Sequence, residues 1–198
     1  MPEVTAAHQL EQHGISADQV TDIVLTHCDP DHAGGLSDFP QANVHVSAEE
    51  LKNVSSGNPR YGAAQFSHDV HWVPYEQNDS QLFDLETRQV HTSLNLDLRL
   101  VPLPGHTLGH CGIAVPDGPK WKLHVGDAYY LRAELTDKDH PINQLATFAA
   151  DDNAKRLRSL DHLRRLAADF GDELEMFGYH DIDELPDEIP QLSELLQA

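Results

Sequence analysis

Cations are scarce in this chain. Of its 198 residues, 13 are lysine or arginine against 33 aspartate or glutamate, a formal charge of -20. That balance excludes nucleic acid and anionic membrane surfaces as partners, because neutralising phosphates takes surplus Lys and Arg. Cysteine is scarcer still. Cys28 and Cys111 cannot build a disulfide framework, so a reducing compartment is expected. Long apolar runs are missing: none approaches the ~18 residues of a membrane span. The opening residues read as a polar helix rather than a signal sequence. The expectation is a soluble, cytoplasmic protein with one domain over residues 1–198, large enough for a real core. Internal repeats and low-complexity segments are also lacking.

What the chain does have is concentrated in one stretch, Thr26-His27-Cys28-Asp29-Pro30-Asp31-His32-Ala33-Gly34-Gly35. It follows Asp22-Ile23-Val24-Leu25, a short β-branched run that reads as the buried strand 22–26. Two imidazoles, two carboxylates and a thiol fall within six residues, His27 to His32. Packing ionisable groups this densely at a strand end incurs repulsion and desolvation, and a bound cation offsets both. Such a cation would also reverse the local field, so the acidic composition does not exclude a small anionic substrate.

Elsewhere the pattern alternates between helix and strand. Residues 4–13 read as a helix stopped by Gly14, and Ser16 caps a short turn. Val44-His45-Val46 reads as a strand, followed by a helix from Ser47 with Glu50 at the capping-box position. Residues 55–80 look irregular and aromatic, as a substrate-side lid or a satellite cluster over the core. Leu94, Leu96, Leu98 and Leu100 alternate with polar residues as in a half-buried strand. Residues 112–115 and 121–125 flank Pro116-Asp117-Gly118-Pro119 as a hairpin. The clearest helix is 151–169, with Leu157, Leu160, Leu163, Leu166 and Ala167 on one face. A strand at 174–177 runs into Gly178-Tyr179-His180, and an amphipathic turn at Leu192, Leu195 and Leu196 ends the chain.

Three more candidate ligands share the position of the first loop. His106 follows Leu103-Pro104-Gly105, Asp127 follows His124-Val125-Gly126, and His180 follows Phe177-Gly178-Tyr179. Each stands where an apolar strand ends, the place where layered folds carry their sites. Cys28 points away from Asp29 and His27 by strand alternation and reads as packing. His45, His68, His71 and His124 have no spacing argument.

In residues, spacing and order, these loops resemble the metallo-β-lactamase fold superfamily. The resemblance runs from about residue 20 to about 182 and rests on His27-Cys28-Asp29-Pro30-Asp31-His32, Gly105-His106-Thr107-Leu108-Gly109-His110, Gly126-Asp127 and Tyr179-His180. It implies an α/β fold, the αββα four-layer sandwich, with a dinuclear metal centre at one edge of the two sheets. It also implies a ligand set. His27, Asp29 and His106 would hold one metal; Asp31, His32 and His180 the other; and Asp127 would bridge both. His110 is either a partner of His106 or a helix-start histidine.

Two departures stand out. The family loop reads HxHxDH, whereas here Asp29 replaces the second histidine. The extra carboxylate makes that half harder and more anionic, moving preference from zinc toward iron or manganese. Two zinc ions remain the expected cofactors, as carboxylate oxygen is an ordinary zinc ligand. The chain also enters almost at the helix that family members place after two or more strands. Either the sequence is truncated or the first sheet is short of strands; a first sheet without its N-terminal strands is the expectation, and its edge would invite a homodimer.

By this resemblance the protein is a hydrolase using a metal-activated hydroxide on an ester-like bond, a lactone or carboxyl ester first and a phosphoester second. Its partner is a small-molecule substrate. Asp31 would orient the water as well as ligate. Tyr130 matches the position from which a tyrosine assists the carbonyl in lactonases of the superfamily, and Tyr129 competes for that role. The rivals are a di-iron oxidoreductase of flavodiiron type, suggested by Asp29, and a catalytically impaired metal-binding scaffold.

Overall fold

The computed structural model describes residues 5–62, 64–94 and 96–185. Thr5 caps α1 (Ala6–Gln12) by accepting the His8 N–H, and Gly14, in the left-handed region, ends the turn that follows it. A short capped turn at Ala17–Gln19 leads to β1 (Asp22–Val24), one-turn α2 (Pro30–Ala33) and β2 (Asn43–Ser47). Next come α3 (Ala48–Ser55) and β3 (His71–Tyr75). These three strands form one parallel sheet in the order β1-β2-β3.

The second sheet holds β4 (Ser80–Leu82), β5 (Leu85–Val90), β6 (Leu98–Pro102), β7 (Cys111–Asp117) and β8 (Lys120–His124). Helices α4 (Ile142–Ala149) and α5 (Asn153–Asp169) precede its last strand, β9 (Leu174–Phe177). Its strands lie in sequence order, antiparallel except for the parallel β8–β9 pair.

Alternation along the strands sets the layers. On β6, Leu100 faces Val90 and Cys111 and, across the gap, Val24 and Tyr75 of the first sheet. Its neighbour Val101 faces the opposite way, into the cluster containing Leu160, Leu163 and Leu166 of α5. On the outer face of the first sheet, Val44 and Val46 pack with Leu51 and Val54 of α3. The order is therefore helix, sheet, sheet, helix, the expected αββα arrangement. No helix among the described residues is long and apolar enough to cross a membrane.

Several local expectations are corrected. Leu94 and Leu96 are 60% and 52% exposed, because the sheet partner β5 ends at Val90, opposite Leu98, and leaves them no ladder. The irregular stretch 55–80 contains β3, whose Pro74 is tolerated because that strand lies at a sheet edge. On α5, Leu160, Leu163 and Leu166 are buried, while Leu157 falls off that face and is exposed. The 112–125 hairpin is tighter than expected: β7 runs to Asp117, opposite Lys120, so the turn is Gly118-Pro119 with Gly118 at φ 60°. Val4 and the turn at 192–196 lie outside the described residues.

Candidate metal centre

The two sheets meet at the opening loop. Leu25 donates its N–H to His45 in β2, and the Thr26 carbonyl accepts from Cys111 in β7. Asp29 stands at the N-cap of α2, and Pro30 opens the helix with its φ already set. This single turn swings Asp31 and His32 to one side while His27 stays behind, fully buried, with Nδ1 3.0 Å from Thr26 Oγ1.

The structure brings all seven candidate ligands together. His27 Nε2 lies 3.4 Å from Asp29 Oδ2 and 4.0 Å from Asp127 Oδ2. His106 Nε2 lies 3.1 Å from Asp29 Oδ2 and 3.5 Å from Asp127 Oδ2. His180 Nε2 is 3.0 Å from Asp127 Oδ2, and His32 Nε2 is 3.0 Å from Asp127 Oδ1 and 3.6 Å from Asp31 Oδ2. The residues fall into overlapping groups: His27, Asp29 and His106; Asp31, His32 and His180; and His27, His32 and Asp127.

These separations fit cation coordination. A tetrahedral site with bonds of about 2.0–2.2 Å has ligand–ligand edges of roughly 3.4 Å. Moreover, His27 Nε2, His32 Nε2 and Asp127 Oδ1 are buried with no hydrogen-bond partner. Buried polar atoms are rarely left so, and ligand atoms that converge without bonding one another suit a shared positive ion.

Electrostatics favour the ligating forms. Burial drives the His27 imidazole down to about 4, so it is neutral at pH 7. Burial opposes ionisation of Asp29, yet the His106 and His27 imidazoles and the Arg60 guanidinium beside it hold it well below the usual carboxylate range. For Asp127 burial is again outweighed, here chiefly by the His180 and His32 imidazoles. The hydrogen bond to Asp127 raises His180.

The supporting side chains were harder to read from sequence. Glu50 was expected to close a capping box; the Ser47 hydroxyl does accept its N–H, but its carboxylate turns inward. There it accepts from Cys28 N–H (2.9 Å), Tyr61 O–H (2.8 Å), Thr107 O–H (2.6 Å) and Gly109 N–H (3.2 Å). One buried carboxylate thus pins the His27 loop to the His106 loop. His110 does not bond to His106. Its Nδ1–H donates to Leu103 O (3.1 Å) and its Nε2 accepts the Asp127 N–H (3.0 Å), the tautomer implied by those partners. Gly126, at φ 55°, makes this possible, since a Cβ there would come within 2.6 Å of His110 Nε2.

Arg60, from the aromatic stretch, was missed entirely. Its guanidinium grips Asp29 through Nε–Oδ1 (2.5 Å) and Nη2–Oδ2 (2.7 Å). The signal that could have found it is the rarity of cations: a ligand-loop carboxylate calls for one, and few exist to choose among.

The cysteines are free and buried. Burial raises both thiols, Cys111 to about 12, and neither belongs to the ligand cluster. His45 sits apart, between Asp22 and Tyr75.

Beside the centre opens a cavity of about 340 Å³. Asp31, Tyr130 and His180 edge it on one side, and Leu131, Ile142, Leu145 and Ala149 form an apolar wall on the other. Of the two candidate tyrosines, Tyr130 lines this cavity, its hydroxyl 3.5 Å from His106 Nδ1. Tyr129 is buried with its hydroxyl on Glu184. Burial lifts Tyr130 to about 12, so it keeps its proton.

A two-sheet sandwich whose strand ends gather four histidines and three carboxylates defines the αββα class built for metal chemistry. The model of the metallo-beta-lactamase superfamily matches residues 2–170, and the chain belongs to that superfamily. It is 39% identical over 136 residues to proteins described as "Probable metallo-hydrolase" from Mycobacterium bovis and Mycobacterium tuberculosis. The match covers 66% of this chain and 44% of each relative, so the chain spans less than half the length of these curated relatives. Among solved structures, it resembles an N-acyl homoserine lactone hydrolase with N-hexanoyl-L-homoserine at its catalytic metal centre. There the TM-score is 0.70 at 20% identity, covering 91% of this chain and 64% of that one. AidC, a dizinc quorum-quenching lactonase, superposes with TM-score 0.59 at 19% identity, over 89% and 62% of the two chains.

Proposed function

We propose that this protein is a metal-dependent hydrolase that cleaves an ester-like bond, a lactone or carboxyl ester in the first place and a phosphoester in the second. The observation that carries the reading is the set of buried, partnerless ligand atoms on His27, His32 and Asp127. His27, Asp29 and His106 would hold one zinc ion and Asp31, His32 and His180 another, with Asp127 between them. When bound, such a pair supplies an acidified water as nucleophile and polarises the bond to be cleaved.

The chain's own residues supply the rest. Burial keeps His27 neutral, as a ligating imidazole must be. Asp31, half exposed at the cavity edge, can take a hydrogen bond from the attacking water and receive its proton. Tyr130, still protonated at pH 7, is placed to donate to the oxygen that gathers negative charge. The wall of Leu131, Ile142 and Leu145 offers an apolar surface that would seat an apolar substituent. That wall and the lactonase relatives of the fold together support an ester with an apolar tail over a phosphoester.

Elemental analysis of the purified chain, followed by turnover of chromogenic lactones, esters and phosphodiesters, tests this reading. Two zincs per chain and lactone or ester hydrolysis are expected. Two irons with oxygen consumption would replace it by the di-iron oxidoreductase. A metal-loaded protein inert to the whole panel, in which Asp31→Ala alters stability alone, would leave only a scaffold.

A further inference from the structure

We propose that Arg60 acts as a built-in counter-cation for one half of the centre, so that the half made by His27, Asp29 and His106 binds its metal ion more weakly than, and after, the half made by Asp31, His32 and His180. The proposal rests on the metal-centre reading above.

Arg60 does more than pair with Asp29. The Nη2 that donates to Asp29 Oδ2 also stands 2.8 Å from His106 Nε2. Both atoms are candidate ligand atoms of the same half. An unprotonated imidazole nitrogen has one lone pair. While it accepts an N–H from Arg60, it is closed to a cation. Asp29 Oδ2 has a second lone pair and can serve both, so the conflict falls on His106.

The guanidinium is fixed in place. Its third nitrogen donates to the Ala149 carbonyl at the end of α4 and lies 3.7 Å from Asp151, which precedes α5. Most of the side chain is buried. Guanidinium keeps its charge at any working pH, so it cannot yield by losing a proton. A dication in this half would sit within a few ångströms of a permanent positive charge, in a setting where water screens poorly.

The other half has no such competitor. Among the described residues, no lysine or arginine pairs with Asp31 or Asp127; their close partners are histidines. Arg60 also cancels the charge that Asp29 adds. The pair together is neutral, like the histidine that the family loop HxHxDH carries at this position. The tilt toward iron or manganese expected from Asp29 is thereby offset.

The test is a Zn2+ titration of the metal-free full chain by calorimetry, in wild type and Arg60→Gln. Wild type should bind two ions in steps at least tenfold apart, and Arg60→Gln should tighten the weaker step at least tenfold while leaving the tighter one within about twofold. Equal steps in wild type, or a weak step unchanged or loosened by Arg60→Gln, would overturn the proposal and leave Arg60 as a brace for Asp29. A chain that binds no zinc in either form would instead sink the metal-centre reading. Should Arg60→Gln fail to fold, histidine ring NMR of the wild type decides. The first equivalent of Zn2+ should move His32 and His180, and the second His27 and His106; the reverse order contradicts the proposal.

Discussion

The two halves of the centre are built differently. His27, Asp29 and His106 are all buried, and their loops are stitched together by Glu50, Arg60 and the sheet bond from Cys111 to Thr26. Asp31 and His180 are 50% and 36% exposed at the side chain, at the edge of the cavity. His32 between them packs chiefly on the His27 and Tyr179 rings. One half is continuous with the core; the other stands at the mouth of the cavity, where a substrate would arrive. Precision in such a site is inherited from packing, while access is provided on the less braced side.

That contrast can be broken at its joint. Asp127 faces both halves through its two oxygens. Asp127→Ala should release both ions and lower hydrolysis by roughly 10²–10³-fold, read by elemental analysis and initial rates. Loss of a single ion would show that the halves stand independently.

The braced half should be the one that couples to folding. Glu50→Ala strands the buried Cys28 and Gly109 N–H groups and should cost roughly 3–5 kcal/mol in urea unfolding. A loss near zero would mean that Glu50 merely fills space.

Acid sharpens the contrast, because the halves respond with opposite sign. In the metal-free protein the His27 value is depressed from 6.5 to about 4. Its contribution to stability is present above 6.5 and is lost as pH falls toward 4, about 3 kcal/mol in all. His110, held neutral by burial, acts in the same direction. His180 is raised by Asp127, so its contribution is full below 6.5 and fades as pH rises through its folded value. Unfolding midpoints of metal-free protein at pH 7 and pH 5 should fall on acidification, and His180→Asn should steepen the fall. A midpoint that rises toward pH 5 would contradict this assignment.

The smallest effect belongs to the exposed side. Tyr130→Phe should reduce kcat about tenfold, the worth of one neutral hydrogen bond, with KM little changed. An unaltered kcat would confine Tyr130 to lining the cavity.

The ligands were legible because metal chemistry restricts residue type. His, Asp and Gly recur at strand ends, and the strand before the first loop is easily read from Ile23 and Val24, although it is only half-buried and full burial begins at Leu25. Their supports were not, since Glu50 and Arg60 act over 57 and 46 residues of separation, onto Thr107 and His106. At Glu50 the local cap signal was real but incomplete: its N–H caps while its carboxylate braces a distant loop. Leu94 and Leu96 show the opposite failure, as period-two alternation marks a strand only when a neighbouring strand continues alongside. Pro74 hid β3 because an edge position excuses a missing N–H, and edges belong to the assembled sheet rather than to the local sequence.

Seven side chains from four strand-end loops would together clasp two dications. Anomalous diffraction at the zinc edge, from crystals grown with Zn2+, tests this most directly. Two peaks are expected, one among His27, Asp29 and His106 and one among Asp31, His32 and His180, both in contact with Asp127. A lone peak, or zinc bound anywhere but among these residues, would contradict it.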